Sequence, residues 1–467
     1  MTRFQTFGSA ASTLKLPATL AAFMSLAMVA PLAQAETLQE ALAKAYQNNP
    51  TLLAARARLR SVDEGVPEAL SGWRPTVEVN YDIAKSHTFT SAGSSANSTS
   101  RNTTPRTGSI TLDQNIFQGG LTSSESKKAE QDVLAERARL ATTEQQVMFD
   151  AGTAYVDVQR DGAVLRLNQN NERVLHRQLE ATRDRFQVGE VTRTDVAQAE
   201  SRLARARADR IQSEGDLAQS RAAYRDIIGD FPGSLVTAKA LRDLPASQDD
   251  AISRARSNSP EVIAARFDER SASAAVKVVV SKLYPSLDLE GVLSRRDDKT
   301  STDSRTDEQS ITVRLSVPLY QAGDVSARIR ASKQTHSQRR KLLDAAIRSA
   351  IASAIRSWEG YQTTVAQIRA FSSEVRAATI ALEGVRQEAQ VGSRTVLDVL
   401  DAEQELLNAR VSLVRAQRDE VVATFDVRRR IGTLQGAQLN LGVPVYDFAA
   451  YYKKVRNKWY GWSIDSK

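Results

Sequence analysis

The 467-residue sequence has no cysteine, which excludes disulfides, cysteine-ligated metal and any cysteine-borne lipid anchor. Its only histidines, His87, His176 and His336, are scattered, and it has neither a glycine-rich phosphate loop nor a Gly-x-Ser-x-Gly elbow. No catalytic residue, metal site or cofactor is assigned, and an enzyme is not expected. Beyond the first 35 residues no apolar run is long enough to span a bilayer. A helical membrane protein is thereby excluded, and any later membrane crossing must use strands. Aromatics are only 6%, while Ala, Arg, Glu, Gln and Leu fill long stretches, a mixture that predicts extended helices laid side by side. The 63 basic and 55 acidic residues are interleaved, so no nucleic-acid partner is expected.

What is present begins with an export signal at residues 1–35. Arg3 and Lys15 precede an uncharged stretch from Leu16 to Leu32, and Ala33-Gln34-Ala35 supplies a cleavage pattern before Glu36. The alanine content, Pro31 and the small-residue exit favour cleavage over a retained anchor.

The rest of the chain is a tandem repeat. At an offset of 210, Glu40 to Val79 matches Asp250 to Leu289 without gaps, pairing Pro50 with Pro260 and Pro75 with Pro285. At an offset of 203, Ile110 to Gly229 matches Val313 to Gly432, pairing Tyr155 with Trp358, Val188-Gly189 with Val391-Gly392, and Asp195 with Asp398. The register changes only between Val79 and Ile110, so the first copy carries seven extra residues there, in the polar stretch SAGSSANSTSRNTTPRTG. Its counterpart is SRRDDKTSTDSRTDEQ, and both read as loops.

Each loop is flanked by period-two alternation, the mark of a hairpin with one apolar and one polar face. Val77, Val79, Tyr81 and Ile83 lead into the first loop and Ile110 and Leu112 leave it. Leu287 and Leu289 lead into the second, and Ile311, Val313, Leu315, Val317 and Leu319 leave it. The opposite face is too charged for a protein interior and fits water inside a barrel with lipid outside. A half-exposed soluble sheet has the same local pattern; export without a helical span, and the polar loops, favour the barrel. One chain supplies four strands, whereas a closed barrel needs about eight and an open pore more, so three chains and twelve strands form the smallest channel.

From Gly120 to Gln187 and from Asp324 to Gln390 there is no proline, which predicts two helices of about 100 Å each. Ile347, Ile351, Ala354, Trp358, Tyr361, Val365, Ile368, Val375 and Leu382 fall on one seven-residue register, a coiled-coil seam. Met148, Ala151, Tyr155, Val158, Leu165 and Leu179 mark it in the first copy. Short breaks at Val188–Asp195 and Val391–Asp398 precede returning helices that end near Gly229 and Gly432. A helix from Thr37 to about Ser71 supplies the missing length by stacking on the first returning helix. Phe231–Ser247 and the tail after Leu441 form a belt midway along. The tail's rings (Tyr446, Phe448, Tyr451, Tyr452, Trp459, Tyr460, Trp462) are expected to pack on neighbouring helices with its lysines in water, rather than to lie on a membrane surface.

This order of short helix, strand hairpin, long helix, VG-x-x-T-x-x-D turn and returning helix, given twice, resembles the TolC family of outer-membrane factors over the whole chain after the signal. The run QVGSRTVLDVLDAEQELLNAR, Gln390 to Arg410, is similar to the family's periplasmic-tip signature. The resemblance implies an α+β fold: a homotrimer whose chains share a 12-stranded barrel in outer-membrane lipid, with a long helical tube in the periplasm. Residues 36–232 are then a first repeat, 233–246 an equatorial linker, 247–435 a second repeat, and 436–467 an equatorial tail. It implies contacts with a periplasmic adaptor, the membrane fusion protein, and through it with an inner-membrane RND or ABC transporter. Matching positions assign adaptor contacts to Val188, Gly189, Thr192, Val391, Gly392, Ser393 and Thr395. They assign a periplasmic gate to Asp195 with Arg394, and Asp398 and Asp401, spaced i, i+3 on one helix face, ring the mouth with carboxylate in a trimer. The family's gate tyrosine corresponds to Ala389. The expected function is an export channel, the exit duct for drugs, small molecules or unfolded proteins. The rival is an exported coiled-coil adaptor or scaffold without a pore.

Overall fold

The computed structural model of the chain describes residues 35–91, 98–301 and 303–464. All of the export signal but Ala35, and residues 92–97 of the first polar loop, lie outside the described residues. The chain opens with α1 (Leu38–Asn48), α2 (Pro50–Asp63) and α3 (Gly65–Ser71), where the sequence predicts one helix. Pro50 is the reason. It has no N–H to continue α1 and forces the residue before it out of the helical region, so Asn49 is extended (ψ 122°) and its Oδ1 caps α2 through the N–H of Thr51 at 3.0 Å. Ser259-Pro260 divides α6 (Gln248–Asn258) from α7 (Pro260–Val280) at the matching place in the second repeat.

Two 67-residue helices, α4 (Leu121–Gln187) and α8 (Asp324–Gln390), each return through a shorter partner, α5 (Arg193–Ile228) and α9 (Val396–Arg430). Below the middle of the molecule the packing order is α5, α4, α9, α8; above it, α2 and α3 pack on α4, then come α7 and α8. The fold is thus a four-helix-wide slab along its whole length, with α8 on one edge and α5, α2 and α3 on the other. The seam residues Met148, Ala151, Tyr155 and Val158 on α4 are buried because α4 lies inside the slab. On edge helix α8, Ile347, Trp358, Tyr361, Val365, Ile368 and Val375 remain half-buried. Leu235, Ala238 and Leu241 of the linker, with Val443, Tyr446 and Phe448 of the tail, pack against a core that holds Tyr46, Tyr155, Tyr224, Phe425, Leu434, Leu439 and Leu441.

At the far end β1 (Thr76–Ile83), β4 (Arg106–Gln118), β5 (Ser286–Asp297) and β6 (Arg305–Ser316) form one antiparallel sheet in the order β1-β4-β5-β6. β2 (Ser86–Ser91) and β3 (Ser98–Thr103) extend the first hairpin as a separate ladder. The strands therefore run further into both polar loops than apolar alternation suggests. In the first, β2 and β3 pair from Ser86 with Thr103 onward. In the second, Arg295 pairs with Asp307 at 2.7 Å and Arg296 with Glu308 at 3.0 Å, so opposite charges carry the ladder where apolar residues stop. The last strand ends at Ser316, short of the predicted Val317 and Leu319, because Pro318 has no N–H to offer.

The register aligns one apolar face across all four strands. Val77 lies opposite Leu112, which lies opposite Gly291 and then Ile311; Phe117, Leu287 and Leu315 make another row. The other face carries Glu78, Asp113, Glu290 and Arg314, with Arg314 paired to Glu290 at 3.1 Å. Among the described residues, β1 and β6 have no neighbour on their outer sides.

Candidate functional site

The predicted site residues fall in the turns joining α4 to α5 and α8 to α9, and the two turns share one backbone. Val188 and Val391 end the long helices with φ −92° each. Gly189 (φ +78°) and Gly392 (φ +81°) follow in the left-handed region. A Cβ at either glycine meets nothing within 4 Å, so dihedral freedom and not space requires glycine there. The Glu190 N–H donates to the Arg185 carbonyl at 2.9 Å and the Ser393 N–H to the Glu388 carbonyl at 3.0 Å, closing each helix in a Schellman arrangement.

Thr192 and Thr395 then start the returning helices with matched capping boxes. The Asp195 and Asp398 carboxylates accept the backbone N–H of Thr192 and Thr395 at 2.8 and 2.9 Å. Bonds from the Thr395 backbone and hydroxyl, with a smaller share from the Arg394 charge, hold Asp398 below the usual carboxylate range. Val188 and Val391 project into solvent, 73% and 80% exposed, which makes each tip an apolar knob beside a charged helix start.

The ion pairs differ between the turns. Arg394 donates to Glu388 of its own turn at 2.9 Å, not to Asp195, and Glu388 raises the guanidinium pKa. The first turn has the reverse polarity: Arg185, at the register of Glu388, faces Glu190 at 3.5 Å. Asp401 is taken by Arg202 of α5, which ties the two helix pairs together.

A second pairing is common to both copies and was not foreseen from the sequence. Arg183 bonds Glu200 at 2.6 Å and Arg386 bonds Glu403 at 2.7 Å. All four residues obey the 203-residue register, which is the signal that would have found them. Between these straps and the body of the molecule, Leu175, Leu179, Ala199, Leu203, Ala206 and Leu400 form a small buried packet. Among the described residues no cluster of histidine and carboxylate side chains is arranged to hold a metal. The cleft between α4, α5 and α9, about 430 Å³, is lined by Arg160, Asp161, Asp216, Arg415 and Asp419 and suits water.

A family model described as outer membrane efflux protein matches residues 41–230 and 251–433. The outer membrane efflux protein BepC of Brucella suis biovar 1 is 35% identical over 433 residues, 92% of each chain. The outer membrane protein TolC of Vibrio cholerae serotype O1 is 27% identical over 415 residues, 86% of this chain and 91% of that one. Among solved structures, the CmeC outer membrane channel of Campylobacter jejuni matches with a TM-score of 0.78, over 90% of this chain and 89% of that one, at 15% identity. That last likeness concerns the fold.

Proposed function

The chain belongs to the outer membrane efflux protein family, and from that premise we propose that it works as a homotrimer whose copies share one 12-stranded barrel and one helical tube. The protein is an outer-membrane export channel of a Gram-negative bacterium with a large periplasmic portion, the exit duct of a tripartite efflux or type I secretion system. The single observation that carries the trimer is the sheet β1-β4-β5-β6, apolar on one face in register and open at both edges. An open edge cannot stand in lipid, where every backbone N–H and C=O needs a partner. Four strands cannot close on themselves, and three copies supply the missing edges. In this reading the repeats, 36–232 and 247–435, each contribute one hairpin and one helix pair, with 233–246 and the start of the tail as the belt.

The tips Val188, Gly189, Thr192, Val391, Gly392, Ser393 and Thr395 meet a periplasmic adaptor, which couples the tube to an RND or ABC transporter of the inner membrane. The exposed valines and the invitingly similar backbones of the two turns support one adaptor site per turn. The gate uses Asp195, Arg394, Asp398 and Asp401. Arg394 held by Glu388 is its released position, and exchange to Asp195 closes the mouth. An exposed ion pair is worth about 0–1 kcal/mol, so the exchange is reversible. The chain's part is conduction and not catalysis.

The test is the state of the protein extracted from outer-membrane fractions. A mass of three chains and discrete conductance in planar bilayers is the expected result. Recovery as a soluble periplasmic protein without conductance favours the scaffold and overturns the channel trimer.

A further inference from the structure

We propose that the segment from Trp459 to Ile464 lies in the periplasmic leaflet of the outer membrane, beside the barrel, as an aromatic interfacial anchor. The inference rests on the membrane reading of the sheet. The tail leaves the belt and climbs toward the strands, and its partners record the climb. The Gly436 N–H donates to Glu144 at 2.6 Å and the Tyr446 N–H to the Tyr46 hydroxyl at 3.0 Å. In α10 (Ala450–Val455) the Tyr451 hydroxyl donates to Glu64 at 2.6 Å, and the Arg137 guanidinium stands 5.2 Å from the Tyr452 ring. Arg456 then meets Glu130 at 3.1 Å. Finally Arg74 donates to the Lys458 carbonyl at 2.8 Å and its guanidinium lies 5.0 Å from the centre of the Trp459 ring. Glu144, Arg137 and Glu130 ascend α4 toward its start at Leu121, and Arg74 is two residues before β1.

Trp459 is thereby fixed at the level where helices give way to strands. Other exposed aromatics mark that level: Trp73 before β1, Phe117 near the end of β4, Tyr284 before β5 and Tyr320 after β6. Rings at that height of a barrel form the interfacial girdle. Beyond Trp459 the rings stand in solvent among the described residues, against the expectation that the whole tail packs its rings on neighbouring helices. Tyr460 is 91%, Trp462 99% and Ile464 80% exposed, a concentration of apolar surface that water does not favour. Lys453, Arg456, Lys458 and Arg74 lie beneath them and suit anionic headgroups. The occupant of this surface is lipid: the girdle continues into it, and an aromatic segment without charge of its own follows directly on basic residues.

Depth-dependent fluorescence quenching tests this on the full-length protein. Of the four tryptophans, Trp73, Trp358 and Trp459 are changed to Phe, leaving Trp462 as reporter. The trimer is reconstituted in phosphatidylethanolamine and phosphatidylglycerol vesicles carrying lipid brominated near the headgroup or near the chain end. The expected result is loss of Trp462 emission with headgroup-proximal bromine and protection from aqueous iodide. Val79→Trp, with all four tryptophans replaced, reports the barrel face in parallel. Quenching of Val79→Trp by lipid with Trp462 open to iodide overturns the anchor and leaves the barrel standing. Protection of Trp462 from both quenchers puts it against protein and also overturns the anchor. If neither reporter responds to lipid, the membrane reading falls and the anchor with it.

Discussion

Arg394 and Glu388 are each 51% exposed, and Arg202 and Asp401 are in comparable surroundings at 33% and 55%. Pairs in such settings are worth about 0.2–1 kcal/mol each, so in the proposed gate one bridge is a weak lock and its repetition around the proposed trimer a moderate one. Arg394→Ser with Asp195→Ala is expected to raise leak conductance in planar bilayers, and Arg202→Ser to raise it further, because it removes the recorded tie between α5 and α9. Unchanged conductance in the triple variant would sink the gate assignment. Asp63 presents the opposite situation: fully buried, with neither carboxylate oxygen hydrogen-bonded. Burial pushes it up from 3.8 to about 6 against the opposing pull of Arg137. Between those values the folded chain binds the proton and the unfolded chain does not, so stability rises as pH falls from above 6 toward 4. The ionised group costs about 1–3 kcal/mol at neutral pH. Asp63→Asn, which keeps the neutral shape, is expected to raise the Tm of the protein at neutral pH and to leave it nearly unchanged near the acid end of that window. An equal gain at both ends would show that charge is not the cause.

At the scale of elements, most of the fold was legible because the tandem register transfers every reading from one copy to the other. The 67-residue length of both long helices and the capped turns followed from proline-free runs and from VG-x-x-T-x-x-D. What was missed has a physical pattern. Apolar alternation marks strands only where one face is apolar, so ladders built from Arg295 with Asp307 and Arg296 with Glu308 have the composition of a loop. Asn49-Pro50 lies inside the helix that the sequence predicts from Thr37 to about Ser71, yet it breaks the chain into α1 and α2. At the tips, register supplied the turn residues, but the partners of Arg394 and Asp401 depend on side-chain reach across helices, which spacing does not encode. One departure from the repeat is explained by packing. A Cβ on Gly152 of α4 would lie 2.6 Å from the Phe425 ring of α9. The crossing of the two repeats is therefore built on a missing side chain. Gly152→Val is expected to destabilise the folded chain by about 1–3 kcal/mol through overpacking, and Phe425→Leu added to it to recover part of the loss, both read as Tm. A neutral Gly152→Val would mean that the crossing is looser than this close approach indicates.

For the whole molecule, the 203-residue register predicts how one copy meets the next in the proposed trimer. Within a chain α4 packs on α9, and the offset maps that pair onto α8 and α5, which stand on opposite edges of the slab and do not pack together in one copy. If the trimer repeats the internal arrangement, α8 of one protomer lies on α5 of its partner as α4 lies on α9. Gly152 and Phe425 correspond to Ile355 and Ala222. The large and small residues have changed sides, and the summed volume at the crossing is roughly kept, as a close-packed contact requires. Ile355 is half-buried and Ala222 exposed in the single chain, as expected of positions covered only on assembly. Because the protein has no cysteine, Ile355→Cys combined with Ala222→Cys can be read without background. A short thiol-specific cross-linker is expected to yield covalent dimers and trimers on denaturing gels, and neither single variant any. Monomers alone from the double variant, with native trimer yield unchanged, would show that the chains close by a geometry other than the one repeated inside each of them.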